Sequence, residues 1–240
     1  MEATRTKKWQ ILSGSALKIM AMVTMLIDHV ACYLLSHEDV FTQTLFTLGD
    51  TRVSWYYILR SIGRLAFPLY VFLLTEGFIY TRNRLRYGVN LFLFALLSEI
   101  PWNFVHSGTW VYQSQNVFFT LFFGYVALCL IESEKLPTAA RLAGVLSLFV
   151  LAYFFKADYG YAGIATVLAM YLLRAWPVAR VAVCTCLFSA TWRAGLAFVP
   201  ISLYSGERGF IKGRIGKYAC YIFYPLHLLL LGLVRYGFFS

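Results

Sequence analysis

Apolar stretches long enough to cross a lipid bilayer recur along the whole 240-residue chain. A membrane-spanning helix needs roughly 20 consecutive, predominantly apolar residues. Hydrophobic residues make up 60% of this chain and charged residues only 13%, and the mean hydropathy is +0.67. Because lipid offers no partners to backbone N–H and C=O groups, such continuous runs must form helices. We therefore expect an all-α, polytopic transmembrane helical bundle, with residues 1–240 as a single integral-membrane domain.

The apolar stretches predict eight spans, one of which is interrupted. The first follows a basic N-terminus without a small-x-small cleavage site, and we expect it to be an uncleaved signal anchor. The seventh is broken by Trp192-Arg193 and by Pro200, so it either crosses once or divides into two short or re-entrant pieces. The sequence thus leaves eight or nine crossings open. The candidate spans are 16–35, 55–78, 87–105, 117–131, 139–155, 159–173, 178–204 and 218–234.

The basic residues between the spans predict the orientation. Cytoplasmic loops of membrane proteins carry an excess of Lys and Arg, so the N-terminus with Arg5, Lys7 and Lys8 is expected inside. On this assignment the inner segments carry ten basic residues, three at the N-terminus and seven in loops, against Arg52 and Lys156 outside. Orientation therefore explains the formal net charge of +10, and we expect no nucleic-acid partner.

One loop, residues 206–217, conflicts with this orientation. It would lie outside if the seventh span crosses once, and it would return to the cytoplasm if that span is two pieces. Orientation alone explains the charge of a cytoplasmic loop. Its basic residues are Arg208, Lys212, Arg214 and Lys217.

Asp28 and His29 lie inside the first span, where ionisable groups are costly. An aspartate at the centre of a spanning helix costs about 2.5 to 3.5 kcal/mol on insertion scales. Such residues either pair with one another or serve a function. Asp28 could simply pair with an arginine of the second span, but imidazole titrates near neutral pH, so the adjacent His29 suits general acid or base chemistry.

The second span carries Arg60 and Arg64, which lie four residues apart and therefore on one helix face. They can hold Asp28 in place or bind an anion or a developing oxyanion, and the two roles are compatible. Pro68 follows Arg64 by one helical turn and cannot donate to the Arg64 carbonyl, which leaves a polar backbone group beside a guanidinium within the membrane.

Further polar residues occur at membrane depth in the later spans. Glu99 is expected to pair with Arg60 or Arg64, and Asn116 either caps the helix that begins at Val117 or contacts a ligand. Tyr159 is an interfacial tyrosine, and His227 in an apolar helix is either functional or hydrogen-bonded. The five cysteines show no metal-ligand spacing, and we predict no metal site.

Five short blocks, taken in order, resemble the TraX family of bacterial membrane acetyltransferases. That family is named for the enzyme that acetylates the N-terminus of conjugative F-type pilin. The blocks extend over nearly all of the chain, although each is short. They are LIDHV at 26–30, GRLAFPLYVF at 63–72, QNVFFTLF at 115–122, YGYAGIA at 159–165 and FYPLHLLLLG at 223–232.

The resemblance implies a multi-pass enzyme of the bacterial cytoplasmic membrane that takes acetyl groups from acetyl-CoA. Carried onto this sequence, it makes Asp28 and His29 the catalytic pair with Arg64 beside them. The acceptor, N- or O-linked, is unknown, with a pilin-like peptide as one candidate. If the loop 206–217 is cytoplasmic, it could bind the phosphates of CoA, although orientation alone also explains its charge. The candidate substrate- or cofactor-binding residues are Arg60, Glu99, Asn116, Tyr159 and His227.

Two other classes of protein remain open from the sequence. Intramembrane Asp, His, Glu and Arg residues also form proton relays, so a proton-coupled transporter is the main alternative. Transporters often carry two related halves, and nothing similar to the Asp28-His29 pair recurs in the second half of this chain. The third class is a non-catalytic membrane assembly factor.

Overall fold

A computed structural model describes residues 9–238, and most of these residues are helical. The α-helices α1 to α11 are Gly14–Val30, Asp39–Thr42, Trp55–Gly63, Ala66–Tyr80, Arg84–Ser107, Val117–Ile131, Thr138–Phe154, Gly160–Leu172, Pro177–Leu187, Phe198–Ser202 and Gly213–Phe238. A π-helical turn, Ala31–Leu35, extends α1, and a 3₁₀ helix, Ser189–Ala197, precedes α10. A small antiparallel hairpin of Phe46–Leu48 and Thr51–Val53 lies between α2 and α3. The all-α prediction is confirmed.

Four helical segments have the length and composition to cross a membrane. They are Gly14–Leu35, Trp55–Tyr80, Arg84–Ser107 and Gly213–Gly237. The shorter apolar helices α6, α7, α8 and α9 correspond to the remaining predicted spans. The chain is therefore a helical membrane protein, and the count of eight or nine crossings stays a prediction.

The second predicted span is not one continuous helix. Helix α3 ends at Gly63 and α4 begins at Ala66, so Arg64 forms the C-cap of α3. Pro68 then lies in the first turn of α4, where a helix has no acceptor for its missing N–H. Pro68 has no N–H to donate to the Arg64 carbonyl, as the sequence predicted, and the helix is interrupted at Arg64 and Leu65.

The seventh predicted span divides into two short pieces. Helix α9 ends at Leu187, and the 3₁₀ helix and the five-residue α10 occupy the remainder. Trp192-Arg193 lies within the 3₁₀ helix, a few residues after the break at Phe188, and Pro200 lies within α10. The helix is therefore divided, as one of the two alternatives predicted, while the number of crossings it makes stays a prediction.

The predicted basic loop, residues 206–217, contacts the start of α1. Its last five residues, 213–217, are helical and form the beginning of α11, and the name basic loop is kept for the whole segment. The backbone N–H of Leu12 donates to the carbonyl of Leu203 at 2.9 Å, and Ser205 donates to the Leu12 carbonyl at 2.8 Å. The N–H of Gly14 donates to the Glu207 carbonyl at 2.7 Å. The loop therefore lies on the N-terminal side of the first span, so its four basic residues agree with the charge pattern that predicts this side to be inside. Arg5, Lys7 and Lys8 themselves lie outside the described residues.

The chain forms two compact units, and each is discontinuous in sequence. The first comprises Met1–Leu73 and Arg193–Phe223, and the second comprises Leu74–Trp192 and Tyr224–Ser240. Helices α1 and α3 pack together in the first unit, whereas α6 packs against α5, α7 and α8 in the second. The core of the second unit includes Tyr125, whose hydroxyl donates to the Arg84 carbonyl at 2.8 Å.

The position of the basic loop can be tested by labelling. With the native cysteines replaced by serine, Lys212→Cys should react with a membrane-impermeant maleimide only from the side that carries the N-terminus. Asp50→Cys, in the exposed turn of the hairpin after the first span, should react only from the opposite side. Labelling of both positions from one side would contradict the backbone pairing between 12–15 and 203–208.

Candidate functional site

An ion pair joins α1 to α3 inside the first unit. Arg60 Nη1 lies 2.5 Å from Asp28 Oδ2, and the side chains of Arg60 and Asp28 are only 21% and 15% exposed. Burying one charge alone at this depth would be very costly, whereas a hydrogen-bonded pair offsets much of that cost. The structure therefore gives Asp28 the arginine partner that the sequence predicted, and it selects Arg60.

The same arginine also contacts the backbone where α1 changes its helical period. Arg60 Nη1 lies 3.4 Å from the carbonyl oxygen of Asp28, three residues before the π-helical turn Ala31–Leu35. A π-helical turn shifts the backbone hydrogen bonds and is frequent at functional sites. Arg60 thus holds both the side chain and the main chain of Asp28.

Gly63 allows this close contact between α1 and α3. A Cβ atom added to Gly63 would overlap the Cβ, Cγ and Oδ1 atoms of Asp28. Only glycine lets the carboxylate lie directly against the backbone of α3. The sequence did not mark Gly63 as a site residue, although Gly63 opens the GRLAFPLYVF block immediately before Arg64.

The two residues of the predicted catalytic pair have different neighbours. Asp28 Oδ2 is held by Arg60, and Oδ1 is buried without a hydrogen-bond partner among residues 9–238. The His29 ring contacts Tyr33 one turn later, with ring centroids 5.6 Å apart. Adjacent helical residues point about 100° apart, which explains why Asp28 turns toward α3 without bonding to His29.

Arg64 stands at the end of α3 beside this pair. Its charge acts on Asp28 together with that of Arg60. Its guanidinium is only partly exposed, yet it forms neither an ion pair nor a side-chain hydrogen bond within the described part of the chain. Arg64 is therefore a cation at a defined position that forms no ion pair between helices among residues 9–238.

A third arginine, Arg193 of the 3₁₀ helix, contacts α3 in the same unit. Its guanidinium carbon lies 4.2 Å from the centroid of the Tyr57 ring, and Tyr57 precedes Arg60 and Arg64 on α3. Such stacking stabilises a guanidinium while leaving its edge available for hydrogen bonds. The sequence marked Arg193 only as an interruption of the seventh span.

Glu99 and Asn116 form a separate group in the second unit, where they fix the start of α6. Glu99 Oε1 accepts hydrogen bonds from the backbone N–H of Asn116, at 3.0 Å, and from its side-chain amide. Asn116 also donates to the Ala95 carbonyl and accepts from the N–H of Phe118. Capping is confirmed for Asn116, and the partner of Glu99 is this amide in place of the arginine that we expected.

Tyr159 and His227 also lie in the second unit. The N–H of Tyr159 points to the hydroxyl of Thr120, one turn after Asn116, at 3.4 Å. His227 is buried, and its ring contacts Tyr224, which in turn packs against Phe118 of α6. Both residues therefore surround the first turn of α6. Within residues 9–238 no group of three His, Cys, Asp or Glu side chains could hold a metal.

Comparison with known proteins decides the family. The sequence model described as TraX protein matches residues 13–235, which includes the Asp28–Arg60 pair and every other predicted site residue. This chain belongs to the TraX family.

One known relative is similar to this chain over nearly the full length of both proteins. The TraX-family chain is 28% identical over 249 residues to the probable fimbrial assembly protein FimC, serogroup H1, of Dichelobacter nodosus. The match covers 91% of this chain and 94% of the relative. No solved structure matches.

The ion pair of this TraX-family protein can be tested by a double-mutant cycle. Asp28→Asn and Arg60→Gln should each lower the free energy of unfolding by about 3 to 5 kcal/mol, because each leaves one buried charge without its partner. The double variant should lose much less than the sum. Thermal and denaturant unfolding in one detergent measure this, with exposed Arg52→Gln as the neutral control. Strict additivity of the two single changes would contradict the pairing.

Proposed function

We propose that this protein is an acetyltransferase of the bacterial cytoplasmic membrane. It takes the acetyl group of acetyl-CoA and transfers it to an amine or hydroxyl of an acceptor at the bilayer. The acceptor that we propose is the N-terminal amine of a pilin-like peptide. Membership of the TraX family supports the proposal, and so does the name of the relative, which places that protein in fimbrial assembly.

The observation that carries the proposal is that the two arginines of the second span differ in their partners. Arg60 neutralises Asp28, so the Arg64 guanidinium beside it is left without an ion-pair partner among residues 9–238. An arginine that served only to hold helices together would form an ion pair with an acidic side chain. A positioned, partly exposed cation whose charge acts on Asp28, the residue before His29, suits a reaction in which negative charge develops on an oxygen.

His29 is the base in the reaction that we propose. Its imidazole accepts a proton from the acceptor amine or hydroxyl while that group attacks the thioester carbonyl carbon. Arg64 stabilises the negative charge that develops on the carbonyl oxygen. When the C–S bond breaks, the acetyl group stays on the acceptor, and the CoA thiolate takes the proton back from the His29 imidazolium.

Asp28 acts as a positioning residue in this scheme. Its carboxylate is held by Arg60 and against Gly63, so it fixes the rotation of α1 relative to α3. His29 follows Asp28 on the same helix, and Arg64 follows Gly63 on the neighbouring segment. In our proposal the pair thereby sets the distance between base and cation, and a small displacement of either would reduce the rate.

The candidate binding residues of the second unit have other proposed roles. Glu99 and Asn116 already use their polar atoms to cap α6, so their proposed contribution is to fix the start of that helix. Tyr159 and His227 lie around the same turn and are our candidates for acceptor contact. Arg60 contributes through Asp28.

A non-catalytic assembly factor is the second candidate function. The relative's name describes assembly and no reaction. An assembly factor would bind the same membrane peptide without consuming acetyl-CoA, so the two candidates differ in a measurable product.

The experiment is transfer of labelled acetyl from acetyl-CoA to a synthetic pilin-like peptide by the protein in lipid nanodiscs. The wild-type protein should release CoA and label a peptide with a free N-terminus, and a peptide with a blocked N-terminus should stay unlabelled. His29→Gln should lower kcat about 100- to 10,000-fold, and Arg64→Gln about 100- to 1,000-fold.

The matched control is His37→Gln, which makes the same substitution at an exposed histidine in the loop after the first span. It should retain wild-type activity. No acetyl transfer by folded wild-type protein would favour the assembly factor. Transfer that survives His29→Gln unchanged would remove His29 from the role of base.

A further inference from the structure

The basic loop 206–217 is fixed on the start of α1 by more bonds than a simple connection needs. Ser15 uses its N–H and its hydroxyl to donate to the Arg208 carbonyl, at 3.0 and 2.9 Å. The same hydroxyl accepts from the N–H of Ile211 at 2.8 Å. Gly209 has a φ of +83°, and a Cβ there would meet Ser13 and Ser15. The backbone of the loop is thus held in one place by residues 13–15.

Because of these bonds, free N–H groups at the start of α1 cannot explain anion binding there. The free N–H groups at the start of a helix attract anions. In α1 the N–H groups of Gly14 and Ser15 are already satisfied by the carbonyls of Glu207 and Arg208. Any attraction for an anion at this end of the helix must come from side-chain charge.

Three cationic side chains of the loop point outward without acidic partners. Arg208, Lys212 and Arg214 are exposed and form no ion pair among residues 9–238. Glu207 is the one acidic residue in the segment 206–217. Lys217 differs, because its ammonium lies over the rings of Tyr218 and Tyr221.

A further cation adds to the same surface from α1. Lys18, one turn beyond Ser15, is close enough to Arg208 for their like charges to repel each other. Membrane orientation requires basic residues on this side, but it does not require like charges to be fixed close together. Concentrated positive charge with a fixed backbone is the arrangement that binds phosphate groups.

We infer that Lys18, Arg208, Lys212 and Arg214 form a phosphate-binding surface at the N-terminal end of α1. The inference rests on the proposed function, because it assigns this surface to the phosphates of the CoA donor. The surface lies on the side of the N-terminus, which the charge pattern predicts to be cytoplasmic. Asp28 lies ten residues beyond Lys18 on the same helix, about 15 Å along the axis at 1.5 Å per residue.

Phosphate groups could also come from lipid headgroups, since Phe210 and Ile215 of the same loop are exposed apolar residues. The experiment therefore measures two probes on the purified full-length protein: binding of adenosine 3′,5′-bisphosphate, and thermal stabilisation by phosphatidylglycerol relative to phosphatidylcholine. The test variant is Lys212→Gln/Arg214→Gln. The matched control, Arg82→Gln/Lys135→Gln, removes two exposed charges from other loops predicted to lie on the same side.

The test variant should weaken nucleotide binding about tenfold, as expected for lost charge-assisted hydrogen bonds, and the control should not. Glu207→Gln should tighten it, and raised salt should weaken it. Unchanged nucleotide binding with loss of the phosphatidylglycerol effect would support the phosphate surface with lipid as its source.

No change with either probe would overturn the inference while leaving the acetyltransferase proposal intact. Acetyl transfer is measured separately on the same preparations. A wild-type protein that binds either probe but transfers no acetyl group would overturn the proposed function and leave the phosphate surface standing.

Discussion

The ion pair between Asp28 and Arg60 is the interaction on which the packing of the first two membrane segments depends. In water such a pair would contribute little, because both ions are well solvated. In a helix pair surrounded by lipid neither charge has an alternative partner, so each helix needs the other. Gly63 permits the contact by bringing the α3 backbone against the carboxylate. Two residues of α3 therefore fix the position of one residue of α1.

This constraint explains why the polar residues near the pair can have different roles. Once Asp28 is neutralised by Arg60, Arg64 carries a charge that the fold does not need for packing. The end of α3 at Gly63 and the start of α4 at Ala66 put Arg64 at a break in the helix, where a side chain is less crowded by its own turns. The sequence block GRLAFP thus encodes a close contact, a cation and a helix restart in six residues.

Much of the fold could be predicted because lipid leaves the chain few choices. Apolar runs located the helices to within a few residues, and the predicted interruption of the seventh span is present, although α9 ends at Leu187, before Trp192-Arg193. The charge pattern could not decide the side of the basic loop, since that depended on backbone bonds between Leu12 and Leu203, which are 191 positions apart. The α3–α4 break was missed because Pro68 is compatible with a kinked helix as well as with a new one.

The candidate site could be predicted in part. The cost of burying Asp28 required a partner, and Arg60 and Arg64 were the arginines in reach, but periodicity alone could not choose between them. Gly63 and Arg193 carried no signal, because a glycine in a membrane helix and an arginine near a span end are both common. Glu99 was assigned to an arginine, whereas the amide of Asn116 satisfies it through the start of α6.

The most direct measurement of the central claim is an experimental structure of the protein with a thioether analogue of acetyl-CoA and a pilin-like peptide. We expect the acyl carbonyl oxygen to lie within hydrogen-bond distance of Arg64. We also expect His29 to lie beside the acceptor amine and the Asp28–Arg60 pair to be intact. An acyl group bound away from His29 and Arg64, or an Asp28 carboxylate released from Arg60, would contradict the central claim.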